Sequence, residues 1–293
     1  MSTALVTGAG GFVGRALAAR LGGLGWRVAA AGRDPAAIAA AGARVDLVFH
    51  CAAYGVNPAD RDPGQMFAAN VAAAGAWVEA AAALGARAFV HVGSCSEYGV
   101  VAEHRPIGED APLAAADLYG ASKAAGGLWA RARAAALGLP FLWVRPFGIF
   151  GPGEAPHRLL PHLHARLRAG ARAELTPGRQ MRDFLYIDDA AAGLAAAGEA
   201  ALAGFAGECN LSSGRALSVR DFAEAAARAM GADAGLLDFG ARGYRPGEAM
   251  WMVGDPARLA AATGFRPALS AEDGIARAVA ALDAGAAVRE AAQ

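Results

Sequence analysis

The chain has 293 residues, with 27 basic and 27 acidic side chains, a formal net charge of zero and a pI near 7.0. That balance excludes the basic footprint of a nucleic-acid binder and the charged face of a protein held on an anionic membrane. Hydrophobic residues make up 55% of the chain, enough for a core and too many for a disordered segment, and the length allows one large α/β domain or two modest ones. Much of the apolar content is alanine, and no run of about 18 bulky, uncharged residues suggests a membrane span. The N-terminus runs straight into a strand-like segment, without a basic n-region or cleavage site. Cys51, Cys95 and Cys209 lack metal-ligand spacing, so no metal is expected. Their odd number suits a reducing, cytoplasmic setting.

Ala4–Thr7 is a short apolar strand, and residues 7–14 read Thr-Gly-Ala-Gly-Gly-Phe-Val-Gly. A helical pattern, Gly11–Leu24, follows. Gly8, Gly11 and Gly14 recur every third position between strand and helix. That spacing meets the needs of a tight turn, close backbone approach to a pyrophosphate and close helix–strand packing. Gly8, Gly11, Phe12, Val13 and Gly14 are therefore candidate dinucleotide contacts. The next strand, Val28–Ala31, ends in Gly32-Arg33-Asp34. A carboxylate at that tip would bind the ribose of NAD, whereas glycine followed by Arg33 suits the 2′-phosphate of NADP. NADP is favoured over NAD, with Asp34 the rival carboxylate. Residues 34–44 are too few for a helix, strand and second helix, which need about 25 residues, so the usual third strand is expected to be missing.

Leu47–Cys51, Ala88–Val92 and Phe141–Arg145 read as buried strands, with long helical patterns at Met66–Leu84 and Leu118–Leu137. Alternating β and α with buried apolar strands predicts a doubly wound parallel sheet. After Phe150 the texture changes. A Gly/Pro loop, Gly151–Pro156, leads to a helix ending near Ala169. Arg182–Asp189 reads as a strand returning to the sheet, Val219–Met230 as a helix and Tyr244–Glu248 as a polar turn. The expected division is a dinucleotide-binding domain over residues 1–150, rejoined by 182–212. A smaller substrate lid takes 151–181 and 213–293.

Lys123 is the only lysine among the 27 basic residues. A composition that replaces lysine with arginine everywhere else retains it where an ammonium is needed. Tyr119-Gly-Ala-Ser-Lys123 puts a phenol and that ammonium on one helix face. The cation is expected to lower the phenol pKa and make Tyr119 a proton donor and acceptor. A hydroxyl completes the set. Ser94 stands at the tip of the Ala88–Val92 strand, where a doubly wound sheet holds its ligand. Ser96 is the second candidate, unless it only satisfies turn backbone, and Cys95 between them is read as packed.

With the glycine loop, the Ser94 strand end and Tyr119/Lys123 in place, the chain resembles the extended short-chain dehydrogenase/reductase family. Within it, the resemblance is to the NAD(P)-dependent nucleotide-sugar epimerases, dehydratases and reductases. His50-Cys-Ala-Ala53, Asn70-Val71, Arg145-Pro-Phe-Gly-Ile-Phe-Gly-Pro152, Arg182-Asp-Phe-Leu-Tyr-Ile-Asp-Asp189 and Arg245-Pro-Gly-Glu248 agree with it. The resemblance implies an extended Rossmann fold, shortened after its second strand. It assigns catalysis to Ser94, Tyr119 and Lys123, and adds Ala52, Ala53 and Pro146 to the cofactor contacts. Cys95, Ser96 and Arg158 then face the sugar, while Arg182 and Arg245 grip the substrate diphosphate through bidentate guanidinium contacts.

The departures from the family pattern are equally informative. Gly148 stands where members often have asparagine. Cys95-Ser96 replaces the Asp-Glu pair that dehydratases carry after the catalytic hydroxyl. The GDP-fucose epimerase-reductases have a cysteine at the Ser96 position and a histidine near Arg158, where this chain offers only the adjacent His157. The expected activity is NADPH-dependent reduction, at C4, of a nucleotide-linked 4-keto-6-deoxyhexose. A 4-epimerase with bound NAD is the second reading, and a catalytically silent NADP-binding sensor the third. The partners expected are a nucleotide-diphosphate sugar and a second copy of the chain, joined through the helices at Met66–Leu84 and Leu118–Leu137. No nucleic acid or membrane partner is expected.

Overall fold

The structure, a computed structural model, describes residues 2–32, 34–40, 42–102 and 104–291, with side chains as far as 285. Arg33 lies outside the described residues. The first half runs β1 (Thr3–Thr7), α1 (Phe12–Gly23), β2 (Arg27–Ala30), α2 (Pro35–Ala40) and β3 (Leu47–His50). A helical run follows: α3 (Pro63–Met66), a π turn (Phe67–Ala72) and α4 (Ala73–Ala83). Next come β4 (Ala88–Val92), a 3-10 turn (Cys95–Tyr98), α5 (Leu118–Ala136), β5 (Phe141–Pro146) and β6 (Gly148–Phe150). The second half contains α6 (Leu159–Arg168), β7 (Ala173–Leu175), β8 (Met181–Tyr186), α7 (Ile187–Leu202), β9 (Gly207–Leu211) and β10 (Ala216–Ser218). It ends with α8 (Val219–Met230), β11 (Leu237–Phe239), β12 (Trp251–Met252), α9 (Ala257–Thr263) and α10 (Ala271–Ala291).

Six parallel strands form the main sheet in the order β2-β1-β3-β4-β5-β9. The order reverses at β1, between β2 and β3, so a crevice opens at the carboxyl ends of the strands, where such sheets bind ligands. The short α2 leads directly into β3, and β2 is the sheet edge, as the brief 34–44 segment requires. Alternation along the strands separates two cores. Ala4, Val6, Phe49 and Leu142 face one layer with Leu17 and Leu194. Leu5, Val48, Phe89 and Trp143 face the other with Trp77 and Ala130. Burial of both faces explains why these strands are continuous apolar runs.

One element departs from the sequence reading. Residues 182–186 do not return to the main sheet: β8 lies in a second sheet, between β10 and β12, and also pairs with β6. Ile187, Asp188 and Asp189 already belong to α7, which packs on α1. The strand that rejoins the main sheet is β9, against β5. The apolar run 182–189 spans a strand-to-helix junction, and apolar character alone does not separate the two periods. The run Pro63–Ala83 is long and apolar enough to cross a membrane by length and composition, with half of its window buried inside the fold.

Helix α5 meets the sheet at Gly127, where a Cβ would lie 2.0 Å from Trp143 Cζ2. Gly127→Ala is expected to destabilise the protein by about 1–3 kcal/mol through overpacking. Gly22 in α1 has nothing within 4 Å of the same atom, so Gly22→Ala is expected to stabilise by about 0.4–1 kcal/mol. Urea unfolding of the two variants beside the parent protein measures both signs.

Candidate active site

The glycine loop owes its shape to two close approaches. Gly8 has φ 65, and a Cβ on it would lie 2.9 Å from the backbone of Ala52. A Cβ on Gly14 would lie 2.2 Å from the Gly8 carbonyl oxygen, so α1 descends onto the turn only because residue 14 is glycine. Gly11 N–H donates to Gly8 O at 2.9 Å. Gly11 is the N-cap of α1 and offers no side-chain cap, leaving the first N–H groups, beside Phe12 and Val13, free for an anion. Thr7 Oγ1 is hydrogen-bonded to His50 Nδ1 at 2.9 Å and accepts from Ala52 N–H at 3.1 Å. That tie fixes the tips of β1 and β3, with Ala52 and Ala53 beyond them. Pro146 is half-buried at the end of β5. A cradle that a single Cβ would fill, with unspent helix donors, fits a dinucleotide pyrophosphate. Asp34 Oδ1 accepts from Ala36 N–H at 2.9 Å and so caps the start of α2.

Ser94 follows β4 and is the N-cap of the 3-10 turn. Its hydroxyl accepts from Ser96 N–H at 3.1 Å, while Glu97 Oε1 accepts from Ser94 N–H at 2.8 Å. Tyr119, half-buried near the start of α5, faces the Ser94 side chain, which acts on its phenol. Asp117 caps α5 through Gly120 N–H at 2.8 Å and fixes the helix start that carries Tyr119. Lys123 is 2% exposed and donates from Nζ to Val92 O at 2.8 Å, which ties α5 to the tip of β4. Asn70, buried in the π turn, accepts from Tyr54 N–H and donates to Tyr54 O and Ser122 Oγ. It thereby anchors the 54 loop to α5.

Electrostatics correct one expectation. Burial pushes the Tyr119 phenol up to about 12, instead of a cation lowering it. The opposing influences are the Ser94 side chain and Arg158, whereas Lys123 turns its ammonium to the Val92 carbonyl. Burial also lowers Lys123 below the usual amine range, opposed by Glu97. Cys95 lines the site with its thiol raised by burial to about 12, so it is neutral and packed, as expected. Ser96 is half-buried beside it.

The three arginines differ. Arg182 donates to Glu248 Oε1 at 2.7 Å and acts electrostatically on Cys95, so the structure brings it to the turn after β4. Arg158 pairs with Glu154 at 3.1 Å and acts on both Cys95 and Tyr119. His157 and Arg158 are both exposed. Arg245 is exposed on the turn whose Glu248 holds Arg182. At Gly148 a Cβ would lie 2.5 Å from Asp183 O, so in this chain β6 approaches β8 too closely for a side chain there. Among the described residues no group of acidic, cysteine and histidine side chains could hold a metal.

The sequence reading missed Glu97 and the role of Arg145. Both are fully buried, and Arg145 Nε donates to Glu97 Oε2 at 2.8 Å. A signal was present: Ser94-Cys-Ser-Glu97 has the Ser-x-x-Glu spacing of a capping box.

A family described as the NAD dependent epimerase/dehydratase family matches residues 4–210. The dTDP-glucose 4,6-dehydratase of Streptomyces griseus is 32% identical over 237 residues, covering 80% of this chain and 71% of the relative. A solved dTDP-glucose 4,6-dehydratase from Streptomyces venezuelae, with NAD and TYD bound, superposes with a TM-score of 0.84 at 25% identity, over 96% of this chain and 97% of that one. The UDP-glucose 4-epimerase of Thermus thermophilus, in complex with NAD, gives 0.84 at 25% identity, over 96% and 99%.

With its phenol raised to about 12 against an ordinary 10.0, Tyr119 is expected to stay neutral throughout the physiological range. The absorbance difference at the phenolate band between the parent protein and Tyr119→Phe should show no Tyr119 ionisation below pH 10.0. A phenolate signal below that pH contradicts it.

Proposed function

This chain belongs to the NAD dependent epimerase/dehydratase family, and on that premise we propose that it reduces the C4 ketone of a nucleotide-diphosphate-linked 4-keto-6-deoxyhexose. The observation that carries the reading is the pair of side chains after Ser94: Cys95, with a neutral thiol, and Ser96 stand there in place of carboxylates, and the half-buried, protonated Tyr119 faces them. A protonated phenol is ready to give a proton to a ketone oxygen, whereas oxidation of an alcohol needs the phenolate as base. Elimination of water needs an acid and a base next to the sugar, and a thiol raised to about 12 with a serine supplies neither. This is the point of difference from the dehydratase relatives.

In this reading Gly8, Gly11, Phe12, Val13, Gly14, Ala52, Ala53 and Pro146 hold the dinucleotide, which supplies the hydride when bound. Ser94 hydrogen-bonds the C4 oxygen and Tyr119 passes its proton to it. Lys123 spends one of its three donors on Val92 O, leaving two for the ribose side of the site. Arg182, aimed by Glu248, and the exposed Arg245 take the diphosphate, and Arg158 closes the sugar end. We assign NADPH as the reductant, because Arg33 follows a non-acidic strand tip and Asp34 is spent as the α2 cap. The NAD bound in the solved relatives supports the opposite preference. It also supports the second reading, a 4-epimerase that retains NAD.

We further propose a cytoplasmic homodimer. Phe67 is 63%, Leu128 45% and Trp129 51% exposed beside Val71, an apolar face on the π turn and α5 that a second copy would cover.

Supplied with NADPH and dTDP-, GDP- or CDP-linked 4-keto-6-deoxyhexoses, the protein should consume one NADPH per sugar reduced. Tyr119→Phe should lose about 10²–10⁴-fold in kcat, and titration should show tighter binding of NADPH than of NADH. Conversion of a nucleotide hexose to its C4 epimer without added cofactor, and no NADPH consumption with any ketosugar, would establish the epimerase instead. Trp129→Glu should halve the mass measured by light scattering; an unchanged mass removes the proposed interface.

A further inference from the structure

We propose that Glu97 is a positioning residue of this site: its buried carboxylate, clamped by Arg145, fixes the Ser94 backbone and serves as the countercharge of Lys123. The inference rests on the reading of Ser94, Tyr119 and Lys123 as the reacting set. Glu97 is 0% and Arg145 1% exposed. The two Glu97 oxygens are spent differently. Oε2 accepts from Arg145 Nε at 2.8 Å, and Oε1 accepts from Ser94 N–H at 2.8 Å. The carboxylate thus bridges β5 and the residue that carries the catalytic hydroxyl. Arg145 is itself held on every side. It donates to Tyr98 Oη at 3.1 Å, approaches Glu208 at 3.6 Å and lies 4.3 Å over the Trp143 ring. Tyr98 in turn donates to Asn210 on β9 at 2.7 Å. Gly93 makes the seat possible: a Cβ there would lie 2.5 Å from Glu97 Oε1 and 2.4 Å from Trp143 Nε1.

A buried ion pair is a poor source of net stability, since desolvation offsets the attraction. Its value here is the position and charge it delivers. The titratable groups facing Lys123 are His50 and Cys51 from the end of β3, His91 from β4 and Glu97 from the 3-10 turn. Burial first, then Lys123, lowers His50 to about 3, and burial lowers His91 well below its ordinary value, so both rings are neutral. Burial raises the Cys51 thiol to about 12. Lys123 Nζ holds Val92 O while Glu97 Oε1 holds Ser94 N–H two residues further on, so ammonium and carboxylate converge on the same strand tip, and among the described residues Glu97 is the one carboxylate acting on Lys123. Burial leaves the Glu97 carboxyl raised overall, against the pull of Arg145, Lys123 and the hydrogen bonds from Arg145 and Ser94; the ionised state is read from the geometry of the pair. Both oxygens accept from fixed donors, which is the arrangement of an ionised carboxylate.

Lys123 is the only lysine in the chain, so lysine labelled with ¹³C at Cε gives one signal whose titration reports this ammonium directly. Glu97→Gln is expected to move that titration to lower pH by about one unit or more. The double variant Glu97→Gln/Arg145→Met removes the clamping pair together, so that Arg145 is not left unpaired, and should move the lysine titration in the same direction. With a substrate in hand, Glu97→Gln should lower kcat about 10- to 100-fold with KM nearly unchanged. The alkaline limb of kcat/KM should move to lower pH together with the lysine titration. A titration midpoint unchanged in folded variants overturns the proposal, even if activity falls, because a purely structural role predicts that combination. The titration needs no substrate, so failure of every sugar to turn over would defeat the proposed reaction while leaving this test intact.

Discussion

Helix α5 can carry the reacting groups because three positions on its inner face have no side chain to hold it away. A Cβ at Gly120 would lie 2.4 Å from Ser96 O, at Gly126 1.9 Å from Asn70 O, and at Gly127 2.0 Å from Trp143. The helix therefore touches the turn after β4, the π turn and β5 at once. Tyr119 lies beside the first of these contacts and reaches Ser94. Lys123 lies between the first and second and reaches Val92 O. Side chains at these positions would hold the helix off these contacts and carry Tyr119 away from Ser94. The ammonium bond to β4 then holds the helix against sliding along its axis.

That close packing also sets the protonation states. The site is dry enough for burial to be the first cause of shift at Tyr119, Lys123, Cys95, His50 and His91. Desolvation favours the neutral form of each, so charge survives where it is paired. Glu97 and Arg145 keep theirs by clamping one another, and Arg182 is paired with Glu248. The result is a pocket with neutral proton-transfer groups next to oriented cations, suited to a substrate that brings its own negative charge on a diphosphate.

Likeness to dehydratases and to epimerases alike follows from this scaffold. The cradle, the Ser94 tip and α5 are common to oxidation and reduction at a sugar carbon. In the proposed reading, what separates the reactions is the pair of side chains after Ser94, and here those are Cys95 and Ser96. A likeness of 32% to a dehydratase therefore fixes the family and the scaffold without fixing the reaction, which the side chains of the site decide.

Much of the fold was legible in the sequence, because its causes are local and periodic. The apolar strands, the glycine triplet, the short 34–44 link and the Tyr119/Lys123 spacing each follow from backbone geometry within a few residues. The strand at 182–189 was misplaced because strand partnership depends on residues far away, here 148–150, 216–218 and 251–252. Glu97 was passed over because its partner, Arg145, is 48 residues distant. A glutamate in a turn reads as solvated until the fold shows that water is excluded. The phenol pKa had the wrong sign for the same reason. Sequence places the cation at the right spacing, but the direction in which its ammonium points, and how much water is removed around the phenol, are set by the elements packed on every side. The sequence by itself determined the doubly wound scaffold, the glycine cradle and the placing of Tyr119 and Lys123 on one helix face, since each is written in adjacent residues. Tertiary structure alone decided which of those groups carry charge, because desolvation and ion pairing belong to no single segment of the chain.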